Sequence, residues 1–86
     1  MAKSGVYIFR CKEQGPNVWY NTEVTALSFK EACQKLANLY LLTFGIGTNY
    51  LWIMRVTLKN GETIFDEGPR RMFNILKDFE EGRLNG

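Results

Sequence analysis

Apolar and polar residues alternate along this chain with two different periods, and the switches between them mark out strands and helices. Val6-Tyr7-Ile8-Phe9-Arg10-Cys11 is rich in β-branched and aromatic residues and predicts a first strand. Gln14-Gly15-Pro16-Asn17 is turn chemistry. Beyond it Val18, Tyr20, Thr22 and Val24 alternate with Trp19, Asn21, Glu23 and Thr25, the period of a half-buried second strand. Trp19 falls on the polar side, so it is expected to be exposed and is a candidate contact anchor.

The period then lengthens. Ser28 and Glu31 have the spacing of a capping box, and Gly45 supplies a left-handed stop. Between them Phe29, Ala32, Cys33, Leu36, Tyr40 and Phe44 share one helical face. Leu39, Leu41 and Leu42 lie off that face, so the last turn is apolar all round. It must be covered by the second helix or by another chain, and a homodimer or partner contact is expected there through Leu39 and Leu42.

Asn60-Gly61 predicts a two-residue type I′ hairpin. That turn would set Lys59 opposite Glu62, Leu58 opposite Thr63, Val56 opposite Phe65 and Arg55 opposite Asp66. Trp52, Met54, Val56, Leu58 and Phe65 would then face the core, with Lys59–Glu62 and Arg55–Asp66 as surface ion pairs. Gly68-Pro69 is expected to open a second helix with Pro in its first turn. Met72, Ile75, Leu76 and Phe79 form its stripe and Gly82 ends it. The order is ββαββα. Short connections favour a two-layer α+β sandwich over residues 1–86, one domain with a four-stranded antiparallel sheet in the order 2-1-3-4 and both helices on one face.

Composition sharpens this outline. The 86 residues are 45% hydrophobic and 14% aromatic, ample for a packed core. A net charge of +2, with the two signs interspersed, does not by itself announce a nucleic-acid or membrane partner. Two cysteines, Cys11 and Cys33, cannot form a disulfide framework, and with no histidine they cannot complete a zinc site; they are expected to be reduced and buried, with no metal or cofactor. Met1-Ala2-Lys3-Ser4 leads into no apolar signal region, and Leu39 to Phe44 is too short to cross a bilayer. A cytoplasmic protein is expected, in a host cytoplasm if the gene is carried by a phage.

No nucleophile, metalloprotease or phosphate-loop motif occurs. Gly5-Val6-Tyr7 followed by Trp19-Tyr20-Asn21 resembles the paired strand motifs of GIY-YIG nucleases. That family carries an arginine on the following helix, where this chain has only Lys30 and Lys35, and a glycine that the second motif lacks, so the chain is not assigned to it. Neighbouring carboxylates, Asp66-Glu67 and Glu80-Glu81, read as solvated surface. The charge pattern of the second helix is the most informative irregularity. Arg70 and Arg71 in its first turn and Glu80 and Glu81 in its last both oppose the helix dipole. The arginines are therefore candidate anion contacts on a partner. The resulting expectation is a non-enzymatic protein-binding module, a regulator or inhibitor of a larger machine, acting through Arg70, Arg71, Trp19, Leu39 and Leu42. The alternative is a nucleic-acid-binding domain using Arg70, Arg71, Lys30 and Lys35.

Overall fold

In the computed structural model, which describes residues 3–85, the chain runs β1 (Gly5–Glu13), β2 (Tyr20–Ala26), α1 (Phe29–Phe44), a 3-10 turn (Thr48–Tyr50), β3 (Leu51–Leu58), β4 (Thr63–Phe65), β5 (Arg70–Arg71) and α2 (Met72–Glu80). The sheet is antiparallel in the order β2-β1-β3-β4, with the short β5 pairing to β3 beside β4. Tyr7, Phe9 and Cys11 of β1 and Leu51, Ile53 and Val56 of β3 are fully buried on one face. Both helices pack there. Phe29 of α1 stacks near Tyr7 at 6.4 Å and meets Phe79 of α2 edge-on at 5.2 Å.

Local signals fix α1. Ser28 Oγ accepts from the Glu31 backbone N–H at 3.1 Å, and Glu31 Oε1 reaches back to the Leu27 N–H at 3.0 Å, one residue before the cap. Gly45, at φ 70°, closes the other end, where its own N–H and that of Ile46 bond the Leu41 and Tyr40 carbonyls.

Three expectations are corrected in the second half. The first concerns the hairpin. Asn60 does not adopt positive φ, so the turn is not type I′. Gly61 N–H bonds the Leu58 carbonyl, Leu58 N–H bonds the Glu62 carbonyl, and Gly61 alone is at φ 96°. This is a three-residue loop of the type I plus glycine-bulge kind. Thr57 now faces Thr63, and an extra residue at Ile64 restores the expected Val56–Phe65 pairing. The expected Lys59–Glu62 and Arg55–Asp66 pairs do not form: Lys59 lies 3.9 Å from Glu23, and Glu62 pairs with Lys3.

The second correction concerns β3. Cys11 faces Ile53 and Phe9 faces Val56, so Met54 and Arg55 together oppose Arg10. This bulge inverts the alternation. Val56, Leu58 and Phe65 face the core as expected, but before the bulge Leu51 and Ile53 take the core positions, and Trp52 and Met54 are only half-buried.

The third is the start of α2. Arg70 and Arg71 are a strand, paired to Ile53 and Trp52, and helical geometry begins at Met72. Gly68 explains why. A Cβ there would lie 2.3 Å from the Met54 carbonyl oxygen and 2.4 Å from that of Ile53, so the chain runs against the β3 backbone before it can turn into a helix.

Candidate binding surfaces

The end of α1 remains uncovered. Leu42 is 84% exposed and Phe44 62%, with Leu41 at 52% and Leu39 at 42%. Phe44 was expected on the buried stripe, but it lies beyond the core, its ring 5.3 Å from Tyr40, and lines a cleft with Glu13, Tyr20 and Tyr40. The second helix does not hide these leucines. Its half-buried Leu76 borders a groove shared with Leu41, Ala37 and Asn38, and α2 ends at Glu80. Between Lys35 and Arg55 the sequence carries no charged residue, so the end of α1 itself brings no charge to this surface, and Glu13 of β1 borders it at the Phe44 cleft.

Arg70 and Arg71 point to opposite faces, as neighbours on a strand do. Arg70 turns inward, where its Nη1 donates to Asp78 Oδ2 at 2.6 Å. Asp78, only 7% exposed, also has Arg83 at 3.8 Å. Arg70 thus neutralises a buried carboxylate from the next element. Arg71 turns outward, its guanidinium 4.7 Å above the Trp52 ring. The helix-one lysines are not gathered with them. Lys35 donates to the Thr25 carbonyl and lies 3.4 Å from Glu31. The Leu27 N–H, and then Lys35, hold the Glu31 carboxyl below its ordinary range.

Trp19 is half-buried rather than exposed, with the Lys12 ammonium 5.8 Å from its ring centroid. Trp52 Nε1 donates to Gln14 Oε1 at 2.7 Å. Lys12, Trp52 and Arg71 form one row across the sheet face that carries no helix, because Lys12 faces Trp52 and Trp52 faces Arg71. In the adjacent row Arg10 directly opposes Arg55, and Arg10 donates to Asn21 Oδ1 at 3.3 Å. Among the described residues none of Arg10, Lys12, Arg55 and Arg71 forms an ion pair. Sequence reasoning missed this cluster because it placed Trp52 in the core and paired Arg55 with Asp66. The bulge opposite Arg10 that creates it belongs to the strand pairing and carries no mark in the local sequence.

The core thiols are free and buried. Burial pushes Cys33 far up, away from the thiolate form. Cys11 Sγ lies 3.4 Å from the Tyr40 hydroxyl, which also meets Thr22 Oγ1 at 3.0 Å. Burial first, and then the Cys11 contact, push the Tyr40 hydroxyl up to about 12. No helix of the described residues is long and apolar enough to cross a membrane. No family model, no curated protein and no solved structure matches the chain.

Proposed function

We propose that this chain is a small non-catalytic protein-binding module that makes its protein contact through the C-terminal end of α1. The observation that carries this reading is the coincidence of Leu39, Leu41, Leu42 and Phe44, all exposed, with an uninterrupted uncharged stretch from residue 36 to residue 54. Interface cores are depleted of charge and enriched in large apolar side chains, and this end of the molecule has both properties. Burying one such leucine or phenylalanine completely is worth about 1.5–3 kcal/mol, so a few of them supply a useful part of an affinity.

The occupant that this surface fits is the same surface on a second copy. Two α1 ends without charged side chains of their own can meet about a two-fold axis with each leucine finding an apolar counterpart, provided that Glu13 stays at the rim. Because the helices form one layer and the sheet the other, such a dimer leaves both open sheet faces outward.

Sedimentation equilibrium across micromolar to millimolar protein, with thermal melting of the same samples, tests the proposal. A concentration-dependent dimer that becomes a monomer in Leu42→Glu, with the fold retained, is the expected result. A chain that remains monomeric at millimolar concentration overturns it. So does a dimer indifferent to the substitution.

A further inference from the structure

We infer that the open sheet face is a second, independent site and that it binds single-stranded nucleic acid. Its six principal residues are Arg10, Lys12, Arg55 and Arg71, which supply positive charge, and Trp19 and Trp52, which supply aromatic surface. They come from three strands and the turn before β2, and they meet only because the sheet order puts β1 between β2 and β3.

The first observation is the Arg10–Arg55 pair. Like charges directly opposite across antiparallel strands destabilise a sheet, and here each arginine also lacks a carboxylate partner among the described residues. On this face Glu23 sits opposite Ile8 and has Lys59 at 3.9 Å. Among the described residues no carboxylate forms an ion pair with any of the four cations, and Lys12 is held only by the Glu13 and Pro16 carbonyls at 3.1 Å. A polyanion supplies the missing partners.

The second observation concerns the tryptophans. They border a shallow depression of about 350 Å³, together with Lys12, Gln14, Gly15 and Pro69. Lys12 and Arg71 each lie over one face of a ring, so a base stacks on the other face or takes the cation's place. A base stacked in the depression therefore has cations at hand for the phosphates that flank it. Stacking on aromatic side chains along a basic track is the general way in which single strands are held without sequence preference. An acidic peptide would satisfy the charges but would leave the two indole faces unused, and a duplex keeps its bases stacked inside and cannot reach them.

The experiment uses fluorescein-labelled oligouridine and oligodeoxythymidine, the corresponding duplexes, and polyglutamate as a polyanion without bases. Binding is read by anisotropy across a salt series and by quenching of tryptophan fluorescence. Single strands should bind, quench the tryptophans and weaken steeply with salt, and the RNA-to-DNA ratio reports whether the ribose hydroxyl contributes. Arg10→Gln and Arg55→Gln should each weaken binding roughly tenfold and lower the salt slope by about one. Both variants should melt at the wild-type temperature or above it, because each removes a like-charge opposition. Trp19→Ala should cost roughly tenfold and Trp19→Phe much less. Lys30→Glu, on the helix layer, should bind as wild type does.

Polyglutamate or duplex bound as tightly as the single strand overturns the inference. Absence of binding at low salt overturns it, and so do arginine variants that melt several degrees lower, since the arginines would then serve the fold. Leu42→Glu should retain wild-type affinity per protomer, which separates failure of this site from failure of the α1 contact.

Discussion

Tyr40 sits where α1 meets β1 and β2, with its hydroxyl in contact with Cys11 and Thr22. Its folded pKa of about 12 lies above the ordinary value of 10.0 because burial disfavours the phenolate. The folded state therefore holds this proton more tightly than the unfolded state does. The stability it contributes is complete below about pH 10 and is lost as the pH rises through about 12. Urea midpoints should fall across that window, with burial-raised Cys33 and Tyr7 adding to the fall, and Tyr40→Phe should lessen it while losing about 1 kcal/mol at neutral pH with the hydroxyl contacts. An alkaline profile unchanged in Tyr40→Phe would contradict this assignment.

The two consecutive arginines also separate at this scale. Arg70 holds the buried carboxylate of Asp78, whereas Arg71 lies over the half-buried indole of Trp52. The sequence-based reading, with both arginines working against a helix dipole, predicts that removing them costs the fold nothing. The geometry predicts otherwise for one of the pair. Arg70→Ala should destabilise by about 1–2 kcal/mol, a buried-pair effect reduced because Arg70 is itself one-third exposed. Arg71→Ala should change the melting temperature little. Thermal melts of the two single variants decide it, and equal losses would refute the division of roles.

Among the elements, β5 depends most on a single residue. Gly68 lies against the β3 backbone at Ile53 and Met54, and backbone atoms cannot step aside as a side chain can. Gly68→Ala should cost roughly 3 kcal/mol, read from urea unfolding, and should loosen the Arg70–Asp78 pair with it. A variant as stable as wild type would show that the segment is free to move off β3. This contact also marks where the sequence ceased to be legible. Gly68-Pro69 reads as a helix start because the local chemistry fits one, and no local rule reveals that β4 is too short to occupy the whole edge of β3. By contrast α1 was readable from Ser28, Glu31 and Gly45, whose roles are settled within a few residues of chain. The β3–β4 hairpin falls between these cases. Its turn type and one bulge were both unforeseen, yet they cancel, so Val56 still meets Phe65. The bulge opposite Arg10 does not cancel. It moved Trp52 and Met54 off the core side and created the basic face that alternation alone could not predict.

For the whole molecule, the two-layer arrangement assigns different chemistry to its two sides. The helix layer ends in an apolar tip, and the sheet's outer face gathers cations without ion pairs around two tryptophans. The sequence exposed the first of these, because Leu39, Leu41 and Leu42 stand off the helical stripe wherever the helix packs. The second depended on strand order and on a bulge, both products of the tertiary fold. The central claim is that the tip is a protein contact that joins two copies. Sedimentation equilibrium of wild type and Leu42→Glu, over a concentration series reaching the millimolar range, tests it most directly. The account predicts a reversible dimer for wild type and a folded monomer for Leu42→Glu. A wild-type chain that sediments as a monomer throughout the series would contradict it.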